Sequence, residues 1–272
     1  MDSIIEYYTG FGEREWTRLD REPLEYIINF HYINHYLPKK GHILDNGAGP
    51  GKYSIALAQK GYQVTLTDLT PKLVSIAEEK AIEHGVIDLF EGFFVENAQD
   101  LSRFNDEVFD ASLMLGPLYH LQNEDERVNA VSELFRVTKK EGLVFVAFRS
   151  RSNHSMLSLF NPQHWKPNDN MDAINVFNST GTFNHSDEGR FTGAYFFNID
   201  DIKPFMESHG FETVDLIGST NIGTLLNQEQ LNYWIDKGEQ EYSKLIDFFI
   251  KMAKDPYLLG VSSHLLYIGR RK

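Results

Sequence analysis

Residues 43–51, Ile-Leu-Asp-Asn-Gly-Ala-Gly-Pro-Gly, carry the densest chemical signal in this chain. A short apolar run ends in an acid, Asp45, and three glycines follow at alternate positions, Gly47, Gly49 and Gly51. Glycine takes positive φ readily and lets a ligand approach the backbone with no Cβ in the way. A helical pattern then runs to Gly61, and a second strand-like run, 62–67, ends in another acid, Asp68. An acid at the tip of a second strand accepts hydrogen bonds from a ribose diol. The unit is therefore suited to hold a nucleoside, and the spacing says which kind. A dinucleotide fingerprint reads G-x-G-x-x-G, with the pyrophosphate on the helix N-terminus. Here the third glycine comes one residue early, and Lys52 stands at the dinucleotide position. Asp45 would repel a pyrophosphate and attract an ammonium group.

S-adenosylmethionine has a ribose, an adenine, an ammonium group and no phosphate. The stretch Asp45-x-Gly47-x-Gly49-x-Gly51 resembles the first motif, [D/E]-x-G-x-G-x-G, of the class I S-adenosylmethionine-dependent methyltransferases. The resemblance covers roughly 40–148, 195–217 and 263–270. It implies an α/β fold with a seven-stranded, mostly parallel sheet in the order 3-2-1-4-5-7-6, the last strand antiparallel, helices on both faces and an inserted lid. It places Asp45 near the methionyl ammonium and gives Gly47, Ala48, Gly49 and Gly51 the cofactor turn. Asp68 matches the ribose acid, and Leu69 lies against the adenine. Asn97 in Glu96-Asn97-Ala98 stands where a short polar side chain meets the adenine amino group. Leu115 and Gly116 form the floor beside the transferring methyl, and Tyr119 and His120 are the candidate catalytic residues facing an acceptor. His120 is the first candidate base, because an unperturbed histidine titrates near neutrality. His154, His164 and His185 are weaker candidates.

These residues must be positioned by a regular frame. Strands are expected at 42–46, 62–67, 90–96, 109–115 and 143–148, and helices at 51–60, 71–84 and 124–138. Such alternation implies a parallel sheet with helices on both faces. Ligands then bind at the carboxyl ends of the strands. A helix is expected over 23–37 within a helical, aromatic N-terminal cap, 1–37. Residues 150–193 show no clear period and read as an inserted lid, partly β, with 191–197 as a strand. A helix closed by Gly210, a strand over 211–217 and a final strand over 264–269 complete the core. That core comprises 38–149, 194–218 and 263–272, and 219–262 is a strongly helical insertion; 1–37, 150–193 and 219–262 are together expected to build the lid. Aromatics such as Tyr7, Tyr8, Phe11, Trp16, Trp165 and Phe177 suit either a partly apolar acceptor or plain packing.

Composition narrows the function classes. The chain has 272 residues, 42% hydrophobic and 24% charged, as in a soluble globular protein. It has no cysteine, which excludes disulfides, thiolate metal sites and cysteine nucleophiles. No carboxylate–histidine pattern suggests a metal. Net charge is −13, and the one basic cluster is the terminal Arg270-Arg271-Lys272, so a nucleic-acid partner is not expected. The N-terminus lacks a basic segment followed by an apolar one, and no membrane span is visible, so the cytoplasm is the expected location. The function expected is methyl transfer from S-adenosylmethionine to a small molecule. The alternatives are a macromolecular acceptor, such as tRNA or protein, and a regulatory protein that binds the cofactor without turnover.

Overall fold

The computed structural model describes residues 2–21, 23–187 and 193–272. Four helices open the chain: α1 (Asp2–Phe11), α2 (Glu13–Trp16), α3 (Arg18–Arg21) and α4 (Pro23–Tyr36). The alternating part follows as β1 (His42–Asn46), α5 (Lys52–Gln59), β2 (Gln63–Asp68), α6 (Pro71–Glu83), β3 (Phe90–Val95), β4 (Phe109–Met114), α7 (Pro117–His120), α8 (Glu124–Val137) and β5 (Thr138–Arg149). Then come α9 (Arg151–Phe160), α10 (Met171–Thr180), β6 (Thr182–Phe183), β7 (Ala194–Tyr195), α11 (Ile199–Ser208), β8 (Phe211–Gly218), α12 (Gln228–Ile235), α13 (Glu239–Met252) and β9 (His264–Arg271).

The main sheet has seven strands in the order β3-β2-β1-β4-β5-β9-β8. With the β6–β7 ribbon set aside, this is the expected 3-2-1-4-5-7-6. Strand β9 runs antiparallel to both β5 and β8. Successive side chains of a strand point to opposite faces, and β5 shows it. Phe145 packs with Ile28, Ile33, Leu57 and Phe249 on one face, while Val144, Val146 and Phe148 pack with Val131, Leu134, Ile202 and Met206 on the other.

Two segments differ from the sequence expectation. Strand β5 begins at Thr138, five residues before the expected start at 143. Thr138 caps α8, hydrogen-bonds Ser112 at 2.7 Å and pairs with Phe109 across a register shift. The irregular stretch that follows includes Glu141 at φ 63°. The second difference is larger. Residues 150–193, expected to be aperiodic and partly β, hold two ten-residue helices and the first strand of a short ribbon. Helix α9 hides from periodicity because its buried face is Arg151, Asn153, His154 and Ser158, all polar. Its Ser and Asn content encodes caps: Ser150 Oγ accepts from the Asn153 N–H, and Asn170 Oδ1 from that of Ala173. Of the strand expected at 191–197, Phe191 and Thr192 lie outside the described residues, and the rest pairs at Ala194–Tyr195 and, as a single bridge to Ser150, at Phe197. His154 is 1% exposed, boxed by Trp165, Phe177, Phe183 and Phe196, with no hydrogen bond to either ring nitrogen. Burial pushes its pKa down to about 3.

Candidate active site

The three glycines after β1 are required for three different reasons. All have positive φ: 76° at Gly47, 57° at Gly49 and 82° at Gly51. A Cβ on Gly47 would lie 2.0 Å from Cγ of Pro117, so this glycine lets the β4 tip close onto the turn. A Cβ on Gly51 would sit 3.0 Å from Leu66 and 3.2 Å from Ala77, so this one seats α5 against its neighbours. A Cβ on Gly49 would meet nothing within 4 Å. It would project into open space, the property a ligand cradle needs.

The two acids are held differently. Asp45 is 2% exposed and accepts from Ser54 Oγ at 2.6 Å. Burial pushes its pKa up to about 6; the Ser54 hydrogen bond opposes this, and nearby Asp68 adds to it. Asp45 is thus a carboxylate short of a cation. Asp68 accepts from the Gly49 N–H and the Thr70 N–H, each at 2.8 Å, one bond to each oxygen. Burial raises its pKa despite those bonds. An ionised carboxylate offers about four acceptor sites, and with the Thr70 side chain also engaged, part of that capacity remains.

One cavity brings these groups together, with roughly 1150 Å³ of space between atoms, its solvent-open part included. Asp45, Gly47, Ala48, Gly49, Asp68, Leu69, Asn97, Ala98, Leu115, Gly116, Tyr119 and His120 all line it. Gly51 does not; it lies behind the turn. Asn97 spends one acceptor position on the Gln99 N–H at 3.0 Å, which makes it a turn residue as well as a wall residue. Residues 150–193 and 219–262, expected to form part of a lid, supply no described wall residue. The roof comes from the N-terminal helices instead, through Ile4, Tyr8, Glu15, Arg18 and Leu19.

His120 sits apart from the titration expected of it. Its Nε2 is 2.9 Å from the Tyr8 hydroxyl. Burial, with Arg149 nearby, pushes its pKa down to about 4, away from the neutral range the sequence suggested. Tyr119 is buried, donates weakly to the Leu115 carbonyl at 3.4 Å, and burial raises its pKa to about 12. Neither His154, His164 nor His185 lines the cavity. His185 instead contacts the His164 carbonyl on an exposed surface. Among the described residues no group of three or more His, Asp or Glu could hold a metal.

Four residues escaped the sequence reading. Arg18 lies 2.7 Å from Glu15 and 3.7 Å from Glu25, and Glu25 is 3.6 Å from Nδ1 of His264. Arg149 ends β5 directly opposite His264 at the start of β9. The strand-tip rule could have found Arg149. An antiparallel last strand starts at the carboxyl edge of the parallel ones, which could have found His264. Nothing local marks Arg18 or Glu25.

Comparison with known proteins is decisive at the turn. Residues 44–146 match the methyltransferase domain family, from β1 through β5. This stretch is a methyltransferase domain. A relative of this domain is the ubiquinone/menaquinone biosynthesis C-methyltransferase UbiE of Zymomonas mobilis, 33% identical over 117 residues, 43% of this chain and 46% of that protein. The chain spans about half the length of the curated relatives it matches. A solved methyltransferase from Methanosarcina mazei shares the fold at 22% identity and TM-score 0.60, over 88% of this chain and 96% of that one. The 1,6-didemethyltoxoflavin-N1-methyltransferase of Burkholderia thailandensis, solved with 1,6-didemethyltoxoflavin and S-adenosylhomocysteine, does so at 13% identity and TM-score 0.59, over 99% and 87%.

The residues present fit S-adenosylmethionine. A buried, cation-short Asp45, an open Cβ position at Gly49 and the spare acceptor capacity of Asp68 match an ammonium, a close-lying ligand and a diol. Among the described residues no helix is long and apolar enough to cross a membrane.

Proposed function

We propose that this chain transfers a methyl group from S-adenosylmethionine to a small molecule held beneath its N-terminal helices. The observation that carries this reading is the single cavity running from the Asp45–Asp68 acids to Tyr8, Tyr119 and His120, roofed by α1–α3. A chamber roofed by helices, with a few convergent polar groups among apolar walls, suits a small ligand. It and the net charge of −13 weigh against a macromolecular acceptor.

In this reading 1–37 is the cap, and 38–149, 194–218 and 263–272 are the cofactor-binding core. The insertion at 150–193 buttresses the segment after the β4 tip, where the Gln122 amide donates to Asn184 Oδ1 at 2.7 Å. The segment 219–262 packs against α4, with the Tyr32 hydroxyl on the Ile250 carbonyl at 2.7 Å. Asp45 receives the ammonium, Asp68 the ribose, Asn97 the adenine amino group and Leu69 the adenine face. Leu115 and Gly116 flank the methyl, and Tyr119 and His120 face the acceptor. The cofactor supplies an electrophilic methyl, so the protein's part is orientation, proximity and exclusion of water.

S-adenosylmethionine and S-adenosylhomocysteine should stabilise the protein and NAD should not. The expected gain is about 2.7 kcal/mol at one hundred times the dissociation constant. Thermal shift reads this directly, and stabilisation by NADH alone would refute the proposal. Turnover is tested by product formation across amine, phenol, alcohol and thiol acceptors.

Asp68→Ala should weaken S-adenosylmethionine by about 1–3 kcal/mol. It should also lower the melting temperature, because two backbone N–H groups lose their acceptor. Asp68→Asn, which keeps an acceptor oxygen, should recover part of the stability. Calorimetry showing wild-type affinity for the alanine variant would remove Asp68 from the ribose site.

A further inference from the structure

The amino-acid end of S-adenosylmethionine carries an ammonium and a carboxylate on one carbon. Asp45 suits the first and repels the second. A carboxylate buried without a partner is costly. Among the described residues lining the cavity, only Arg18 and Lys52 carry a fixed positive charge. Lys52 is already committed. Its ammonium donates to Asp20 at 2.7 Å and lies 4.7 Å from the centroid of the Trp16 ring. Those contacts fasten α5 to the N-terminal helices.

Arg18 is placed differently. Its Nε donates to Glu15 at 2.7 Å, and its Nη1 lies 3.7 Å from Glu25, an ion pair longer than a hydrogen bond. A guanidinium has five N–H donors in a planar fork that fits a carboxylate. The Arg18 side chain keeps 34% of its surface accessible, whereas Glu15 and Glu25 keep 11% and 6%. The two acids hold the guanidinium, and donors remain for the chamber. Arg18 also reaches the methionyl end of the site. Burial raises the pKa of Tyr53 and of Tyr119, and Arg18 opposes it at both. Both rings line the cavity, and Tyr53 is the chain neighbour of Ser54, which donates to Asp45. The ammonium and carboxylate together are neutral, so they enter this acidic chamber without adding net charge.

We propose that Arg18, carried by the N-terminal cap, receives the carboxylate of S-adenosylmethionine while Asp45 receives its ammonium. This deepens the methyl-transfer reading and rests on it. Glu15 and Glu25 orient the guanidinium. The cofactor then bonds to the core and to the cap at once, so loading it steadies α1–α3 over the chamber.

The test is calorimetry on the full chain with S-adenosylhomocysteine and its decarboxylated counterpart, which keeps the adenosine, sulfur and ammonium. The wild type should prefer the intact ligand by about tenfold or more. Arg18→Gln should lose about tenfold to a hundredfold in affinity for S-adenosylhomocysteine. Its affinity for the decarboxylated ligand should stay within about threefold, because the ligand lacks the group whose partner is removed. Binding of that ligand also reports that the variant's site is folded. Arg18→Lys, which keeps the charge without the fork, should recover part of the loss. Lys52→Met should not discriminate between the two ligands. In hydrogen exchange, S-adenosylhomocysteine should protect residues 2–21 more than the decarboxylated ligand does. Equal wild-type affinity for the two ligands, or an equal loss of both in Arg18→Gln, would overturn the assignment and leave Arg18 a staple among α2, α3 and α4. A carboxylate-specific loss in Lys52→Met alone would overturn it in favour of Lys52. Benzoate bound by the S-adenosylhomocysteine-saturated wild type and lost in Arg18→Gln, with S-adenosylhomocysteine affinity unchanged, would overturn it in favour of an acidic acceptor. A wild type that binds neither adenosyl ligand would overturn the methyl-transfer reading itself.

Discussion

Acidification from pH 7 to pH 5 should cost the folded protein on the order of 4 kcal/mol. Three buried histidines cause it. Burial pushes His120 and His264 down to about 4 and His154 to about 3. Each titrates near 6.5 in the unfolded chain. The unfolded state therefore takes up protons first, so stability is fully present above pH 6.5 and is lost as pH falls toward the folded values. At pH 5 each histidine has removed roughly 2 kcal/mol. Asp45 works the other way, because its folded pKa of about 6 lies above its unfolded value. It returns roughly 1 kcal/mol over the same interval, and Asp68, raised in the same direction, adds to that return. The net loss is large against the 5–15 kcal/mol typical of a whole domain. Denaturant titrations at the two pH values measure it. His154→Phe, which completes an aromatic box, should remove about a third of the histidine contribution. Equal stability at pH 7 and pH 5 would show that these histidines are not held neutral by burial.

Gly47→Ala and Gly49→Ala should fail in opposite ways. At Gly47 the new methyl collides with Pro117, and φ is 76°. A left-handed alanine costs about 1–2 kcal/mol and overpacking about 1–3 kcal/mol more. The variant should lose about 2–5 kcal/mol of stability, with the β4 tip displaced from the turn. At Gly49 the methyl enters empty space, so only the φ cost of about 1–2 kcal/mol applies. The price there falls on the ligand, with S-adenosylmethionine affinity down about tenfold or more. Chemical denaturation and calorimetry on both variants separate the effects. Equal destabilisation of the two, or wild-type affinity in Gly49→Ala, would contradict the division of labour between these glycines.

The readable parts of this chain are those whose reasons are local. The glycine turn, Asp45 and Asp68 announce themselves because backbone conformation and strand ends leave marks in a few consecutive residues. The sheet order came through the resemblance, and each core strand fell within a few residues of its expected place except β5. The irregular start of β5 depends on pairing with Phe109, a partner 29 positions away. Helix α9 was missed because its buried face is polar, satisfied by groups such as the Phe196 and Val261 carbonyls that lie far along the chain. His120 lines the cavity, and its titration is set by burial and by Arg149, 29 positions away, which no local pattern announces. Arg18 and Glu25 became visible only when the N-terminal helices folded over the sheet edge.

The two bonds that Asp68 accepts from the Gly49 and Thr70 N–H groups have a thermodynamic consequence. The turn is clamped by the protein's own carboxylate, so its shape does not wait for a ligand to impose it. The entropy of ordering that loop is lost during folding and is not charged again at binding. The heat-capacity change on association should then track the apolar surface that adenine and its surroundings cover, with no added share from coupled folding of the turn. Relaxing the clamp in Asp68→Ala should make that heat-capacity change more negative even as the affinity falls.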